Sequence, residues 1–270
     1  MRSIDVSKVV WDRLLAVREG KSCTCCGDFS AAEQAALRLY GPLARRDLSP
    51  ATIAQVGQSL DGRIATASGE VGHVSGPDGL AHLHRMRALV DAVVIGVRTA
   101  IHDSPQLTVR HCEGENPARV VIDPSARLPD DSSVFRADGA RRIVIQAVDT
   151  PRAQGLEVIQ LPLTKGRIDP TAIIKALHRE GLSNILIEGG SFTIAKFLEA
   201  GLLDRIQIAV APVLIGSGPA GINLSEQSKK MADALRPTTE AFSIGNEVVF
   251  DSALTNSGQD AIEARHNTQS

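Results

Sequence analysis

Two rhythms of apolar residues alternate along this chain. Val6–Arg18 and Ala31–Leu39 repeat apolar side chains every three or four residues, as amphipathic helices do, and Ser30 with Glu33 offers a capping box for the second. At Ala51 the texture changes: ATIAQVGQSLDGRIAT reads as a strand over Ile53–Gly57, a loop at Asp61-Gly62 and a short second strand. Pro77 then suits the first turn of a helix whose apolar set is Leu80, Leu83, Met86, Leu89 and Val90. Short unbroken apolar runs follow at AVVIG (92–96), RVVID (119–123) and RRIVIQ (141–146), each the length of a strand buried on both faces. The alternation resumes with a helix over Thr171–Glu180, the strand NILIE ending at Glu188, a helix from Ser191 to Ala200 closed by Gly201, and the strand RIQIAVA before Pro212. Antiparallel strands are expected near Ala241–Ile244 and Glu247–Phe250.

This order predicts an α/β fold: a mixed, mostly parallel sheet flanked by helices, with a small helical N-terminal arm. No internal repeat or low-complexity linker divides it, so the expected organisation is an arm at 1–50, one domain at 51–251 and a polar, disordered tail at 252–270. Apolar residues make up 43% of the chain and aromatics only 3%, so Val, Ile, Leu and Ala must fill the core. A net charge of -2 without long basic runs argues against a nucleic-acid partner. No apolar stretch reaches the roughly 18 residues a membrane span needs, and Asp5 and Asp12 fall where a signal peptide would be apolar, so a cytoplasmic protein is expected. Cys23, Cys25 and Cys26 form a C-x-C-C cluster without the second ligand pair that zinc sites usually present, and they read as ordinary reduced thiols. His82 and His84 point to different faces of a helix, so no metal is expected there either.

Three stretches carry candidate chemistry. In ILIEGGSFTIAKFLEAG a strand ends at Glu188, Gly189 and Gly190 follow, and a helix starts at once. Such a corner lets a pyrophosphate approach unpaired backbone N–H groups, although two glycines can equally serve only a tight turn. Gly216, Gly218 and Gly221 in VLIGSGPAG match G-x-G-x-x-G, but no amphipathic helix or following strand-and-acid unit is legible after them, which argues for a loop rather than a Rossmann fingerprint. GVRTAIHDSPQLTVR (96–110) leaves a buried strand at the edge where ligands of open α/β sheets bind. It holds Asp103, a group able to donate a proton, and Arg110, which with Arg87 on the preceding helix is suited to phosphate.

Together SLDGRIATASGE (59–70), MRALVDAVVIGVRTAIHDSPQLTVR (86–110) and ILIEGGSFTIAKFLEAGLLD (185–204) resemble the pyrimidine reductase of riboflavin biosynthesis, often the C-terminal half of a bifunctional deaminase-reductase. The resemblance covers about residues 51–251. It implies a dihydrofolate-reductase-like fold, usually homodimeric, that transfers hydride from NADPH to the ribose C1′ of 5-amino-6-(5-phosphoribosylamino)uracil. Asp103 is then the catalytic, proton-handling residue. Gly57, His73, Thr99, Asp103, Gly189, Gly190, Ser191 and Phe192 are expected at the cofactor, and Arg87, Leu107, Arg110 and Glu188 at a small phosphorylated substrate. Gln55, where the family commonly has Lys, Val71 and His73 depart from the pattern and bear on substrate choice. The H-x-E with a downstream P-C-x-x-C of a zinc deaminase is absent, so the arm is not expected to deaminate. Reduction of another pyrimidine or pteridine such as dihydrofolate, and a non-catalytic nucleotide-binding role, are the alternatives.

Overall fold

The computed structural model describes residues 1–46, 50–70, 74–224 and 230–254. Its elements run β1 (Arg2–Ser3), α1 (Lys8–Arg18), α2 (Ala31–Ala44), β2 (Thr52–Ser59), α3 (Pro77–Leu89), β3 (Ala92–Gly96), α4 (Val97–Asp103), β4 (Ala118–Ile122), β5 (Arg142–Gln146), β6 (Glu157–Gln160), β7 (Leu163–Thr164), β8 (Arg167–Ile168), α5 (Pro170–Arg179), β9 (Ile185–Ile187), α6 (Ser191–Glu199), β10 (Arg205–Ala211), β11 (Thr238–Ile244) and β12 (Glu247–Ala253). The main sheet has the order β1-β11-β12-β10-β2-β9-β3-β4-β5-β6. From β10 to β6 every neighbour is parallel, and β12 is antiparallel to both β10 and β11.

Strand alternation divides the core in two. Ile53, Val93, Ile95, Val121, Val144 and Leu186 face one layer, while Ala54, Val94, Val120, Ile143, Ile145, Ile185 and Ile187 face the other. Apolar side chains on both faces explain why these strands read as unbroken apolar runs. The first layer includes Val10, Leu14, Leu39, Tyr40 and Leu43 of α1 and α2 together with Met86 and Leu89 of α3; the second includes Ile173, Leu177, Ile194 and Phe197 of α5 and α6. Each fully buried aliphatic side chain contributes about 1.5–3 kcal/mol.

Helices α1 and α2 share that core. Trp11 Nε1 donates to the Glu113 carbonyl at 2.9 Å, Arg18 donates to the carbonyls of Leu89 and Val90, and β1 extends the sheet beside β11. The capping box forms as expected, with Ser30 Oγ accepting from Glu33 N and the Glu33 carboxylate accepting from Ser30 N. The second strand expected after Asp61-Gly62 does not form. Only Arg63 makes a bridge, to Ala220, because the segment is occupied in loop contacts. Ser252 and Ala253, expected in the tail, complete β12; residues 255–270 lie outside the described part.

Candidate active site

β3 and β9 are parallel neighbours, so Gly96 and Glu188 leave the same edge of the sheet side by side, and the Glu188 N–H still donates to the Val94 carbonyl at 2.9 Å. Both strands pass into helices at once. A Cβ on Gly96 would sit 2.6 Å from Thr193 Oγ1, so the glycine allows α4 and α6 to start in contact. Gly190 N donates to Thr99 Oγ1 at 2.9 Å. Gly189 has φ +86°, and a Cβ there would lie 2.8 Å from Thr99 Cγ2. The corner therefore requires glycine for its backbone and for its closeness to Thr99. Gly57 lies three residues beyond the last β2–β9 pair, at the same edge, and a Cβ on it would stand 2.9 Å from Ser75 Oγ.

The start of α6 is open to its own backbone donors. Gly190 provides its N-cap without a side-chain hydrogen bond, leaving the positive end of the helix to backbone N–H groups. Beside Ser191, Phe192 is 47% exposed and is ringed by cations: the Arg98 guanidinium lies 4.7 Å from its centroid, Lys196 Nζ 5.5 Å and the Arg167 guanidinium 5.8 Å. A cradle that excludes Cβ atoms, a helix start without a side-chain cap and a cationic aromatic platform fit the phosphates and a flat ring of a dinucleotide. Only the glycines and Phe192 of this group stand out in the sequence, because Arg98, Arg167 and Lys196 meet through folding alone.

On the other side of the edge, Arg87 from α3 grips Glu188 with two bonds, Nε to Oε1 at 2.8 Å and Nη2 to Oε2 at 2.7 Å. Both side chains are less than a tenth exposed, and Arg87 Nη1 donates to the Thr108 carbonyl at 3.3 Å. The two expected substrate residues thus neutralise each other and clamp the segment after α4. That segment is strained: Ser104 and Leu107 have φ of 44° and 53° without being glycine, and Leu107 is buried. Its end presents Arg110, whose guanidinium donates to Gln106 Oε1 and Thr108 Oγ1 while its backbone N–H donates to His84 Nδ1 at 2.9 Å. Burial, aided by nearby cations, pushes the His84 pKa down to about 3, so the ring is a neutral acceptor.

Asp103 closes α4 as an exposed residue whose side chain is 33% accessible, with His102 Nδ1 3.3 Å from its carboxylate. Burial raises its pKa above the usual aspartate range and the His102 contact opposes the rise. It has no arginine partner comparable to that of Glu188 among the described residues, so at this edge one carboxylate is held by a bidentate guanidinium while the other, raised by burial, holds its proton more readily than a free aspartate. His73, expected at the cofactor, and Val71 lie outside the described residues.

Asp61, read from the sequence as part of a loop, and Arg63, expected in a short second strand, tie the end of β2 to the loop after β10. The Asp61 carboxylate accepts from the N–H groups of Ile215 and Gly216 and from Ser59 Oγ, which brings its pKa down to about 2. Arg63 donates to the carbonyls of Gly216 and Gly218. Gly216, Gly218 and Gly221 accordingly form a loop tied to the end of β2, as their context implies, and residues 225–229 are outside the described part.

Residues 50–250 match the family model described as the RibD C-terminal domain. The 2,5-diamino-6-ribosylamino-4(3H)-pyrimidinone 5′-phosphate reductase of Methanothermobacter thermautotrophicus is 30% identical over 212 residues, covering 76% of this chain and 98% of that protein. The riboflavin biosynthesis protein RibD of Aquifex aeolicus is 33% identical over 181 residues, and the match spans 64% of this chain but only 51% of the relative, about half its length. Among solved structures, the Thermotoga maritima diaminohydroxyphosphoribosylaminopyrimidine deaminase/5-amino-6-(5-phosphoribosylamino)uracil reductase has the same fold, with a TM-score of 0.63 at 23% identity over 83% of this chain and 62% of that one.

Proposed function

Because the chain belongs to the RibD C-terminal domain family, we propose that it is an NADPH-dependent reductase that converts 5-amino-6-(5-phosphoribosylamino)uracil to its ribitylamino product in riboflavin biosynthesis. The observation that carries the reading is the pairing of an anion-favouring glycine corner with a proton-biased Asp103 at one sheet edge.

NADPH, when bound, supplies a hydride. The residues that would hold it are Thr99, Gly189, Gly190, Ser191 and Phe192, with Gly57 along β2 and the cations around Phe192 meeting its charge. The remaining work falls to the chain. For C1′ to accept a hydride, the ribosyl ring must open, and the ring oxygen must gain a proton as its bond to C1′ breaks. Asp103 is the group whose surroundings favour carrying that proton. Arg110 offers an exposed guanidinium to the substrate phosphate, and the Arg87–Glu188 pair and Leu107 fix the wall against which the pyrimidine packs. Cytoplasmic location and a homodimer belong to the same proposal; no helix among the described residues is long and apolar enough to cross a membrane.

A second substrate is favoured by one finding: the relative matched over nearly its whole length is named for a pyrimidinone that still carries the 2-amino group. The test is reduced-nicotinamide consumption with the phosphoribosylamino-uracil, its 2-amino counterpart, the dephosphorylated nucleoside and dihydrofolate. Turnover of the uracil substrate is expected. Preference for the 2-amino compound would move the substrate within the class, and turnover of dihydrofolate alone, or binding of NADPH without its oxidation, would overturn the proposal.

A further inference from the structure

Away from the sheet edge, the segment joining α1 to α2 gathers thiols whose spacing in sequence gives no sign of a joint role. Cys23, Cys25 and Cys26 are free, and their Sγ atoms all lie within 4.8 Å of one another, with Cys25 and Cys26 at 3.8 Å. Zinc–thiolate bonds of about 2.3 Å at tetrahedral angles put bound sulfurs about 3.8 Å apart, so these thiols stand at or near the spacing of three ligands of one ion. The segment is held in this shape by Arg13 of α1, whose Nη1 donates to the carbonyls of Cys23 at 3.3 Å and Cys26 at 2.5 Å while its guanidinium stacks 5.4 Å from the Phe29 centroid. The chain thus converges the sulfurs through a buttress from a neighbouring helix, rather than leaving them on a free loop.

We propose that Cys23, Cys25 and Cys26 form a three-thiolate site for a thiophilic divalent ion, zinc in the first place, with its fourth position open to solvent or an external ligand. Among the described residues no further His, Cys or carboxylate joins the group, and Cys25 and Cys26 are exposed, which leaves that fourth position outward. Charge favours a divalent ion over cuprous copper: three thiolates with zinc leave one negative charge, which the fixed positive charge of Arg13 offsets, whereas a monovalent ion would leave two. The bound ion would cross-link the connection between two helices whose apolar faces cover the sheet layer shared with α3.

The experiment uses the full chain, reduced, equilibrated with zinc and freed of excess, with metal content measured beside thiol reactivity. Stoichiometric zinc that shields three thiols is expected in the wild type and in Cys112→Ser, since Cys112 stands apart from the cluster. Cys23→Ser, Cys25→Ser and Cys26→Ser should each lose the ion. Cobalt substitution of the wild type should give the intense visible bands of a tetrahedral thiolate complex, a readout that does not depend on any variant folding. Wild type that holds no zinc once fully reduced, cobalt spectra of an octahedral aquo ion, or zinc retained when all three cysteines are serine would each overturn the proposal.

Discussion

The segments that follow β3 and β9 leave the same edge of the sheet from hydrogen-bonded parallel neighbours, yet they treat charge in opposite ways. After β9 the chain is locked. Glu188 is buried against a bidentate Arg87, Gly189 and Gly190 fit against Thr99, and α6 starts without slack. After β3, the short helix α4 ends in Asp103, a carboxylate lifted by burial without a guanidinium to hold it charged, and two non-glycine residues with left-handed backbones follow. The difference separates roles. Under the proposed function, the charge that stays in place is neutralised and clamped, whereas the group assigned the proton is left without a guanidinium partner and within reach of solvent.

That contrast is broken most severely at Asp103. Asp103→Asn keeps the shape and removes the proton, so kcat should fall by about 10²- to 10⁴-fold while NADPH binding, followed by fluorescence titration, persists. Arg87→Ala strands Glu188 as a buried charge; thermal or denaturant unfolding should report a loss of about 3–5 kcal/mol, well beyond what a surface pair yields. Gly189→Ala places a side chain at φ +86° against Thr99, which should cost about 1–3 kcal/mol of stability and weaken the reduced cofactor more than the substrate. Arg110→Ala, which removes an exposed contact made equally to substrate and transition state, should raise KM about tenfold with kcat little changed.

The pH dependence sharpens the same comparison. A carboxyl whose folded pKa is raised keeps its proton to higher pH, so the Asp103-dependent step is present at low pH and declines as pH rises through that raised value. Its contribution to stability has the same sign: full below the unfolded-state pKa and lost as pH climbs through the folded one. Asp61 behaves in the opposite sense. Its pKa of about 2 keeps the loop anchor ionised until the pH falls through that value, so the mouth of the site should hold its shape across the range in which Asp103 titrates.

Much of this edge is legible in the sequence. Glu188, Gly189 and Gly190 announce a strand-to-helix corner because a β-run, two glycines and a helical period succeed one another without a gap, and Asp103 is the single carboxylate in the segment after AVVIG. What stays hidden depends on long-range closure. The Arg87–Glu188 pair joins residues 101 positions apart, and the cations around Phe192 come from α4, β8 and α6. The role of Asp61 appears only when the loop after β10 folds back to the end of β2. Among elements, β6 escapes the pattern because its side chains are nearly all exposed and leave no apolar run, and β1, β7 and β8 because two residues cannot show a period. The joining of α1 and α2 to the main core is equally unreadable, since their apolar stripes show that something is covered without showing what.

The most direct test is the pH profile of kcat for reduction of the phosphoribosylamino-uracil by NADPH, measured for the wild type and Asp103→Asn under saturating cofactor. A wild-type rate that falls as pH rises, with the residual activity of the Asp103→Asn variant flat across the same range, is the predicted result. An Asp103→Asn enzyme that retains wild-type kcat and the same pH limb would contradict the assignment of the proton to this carboxylate.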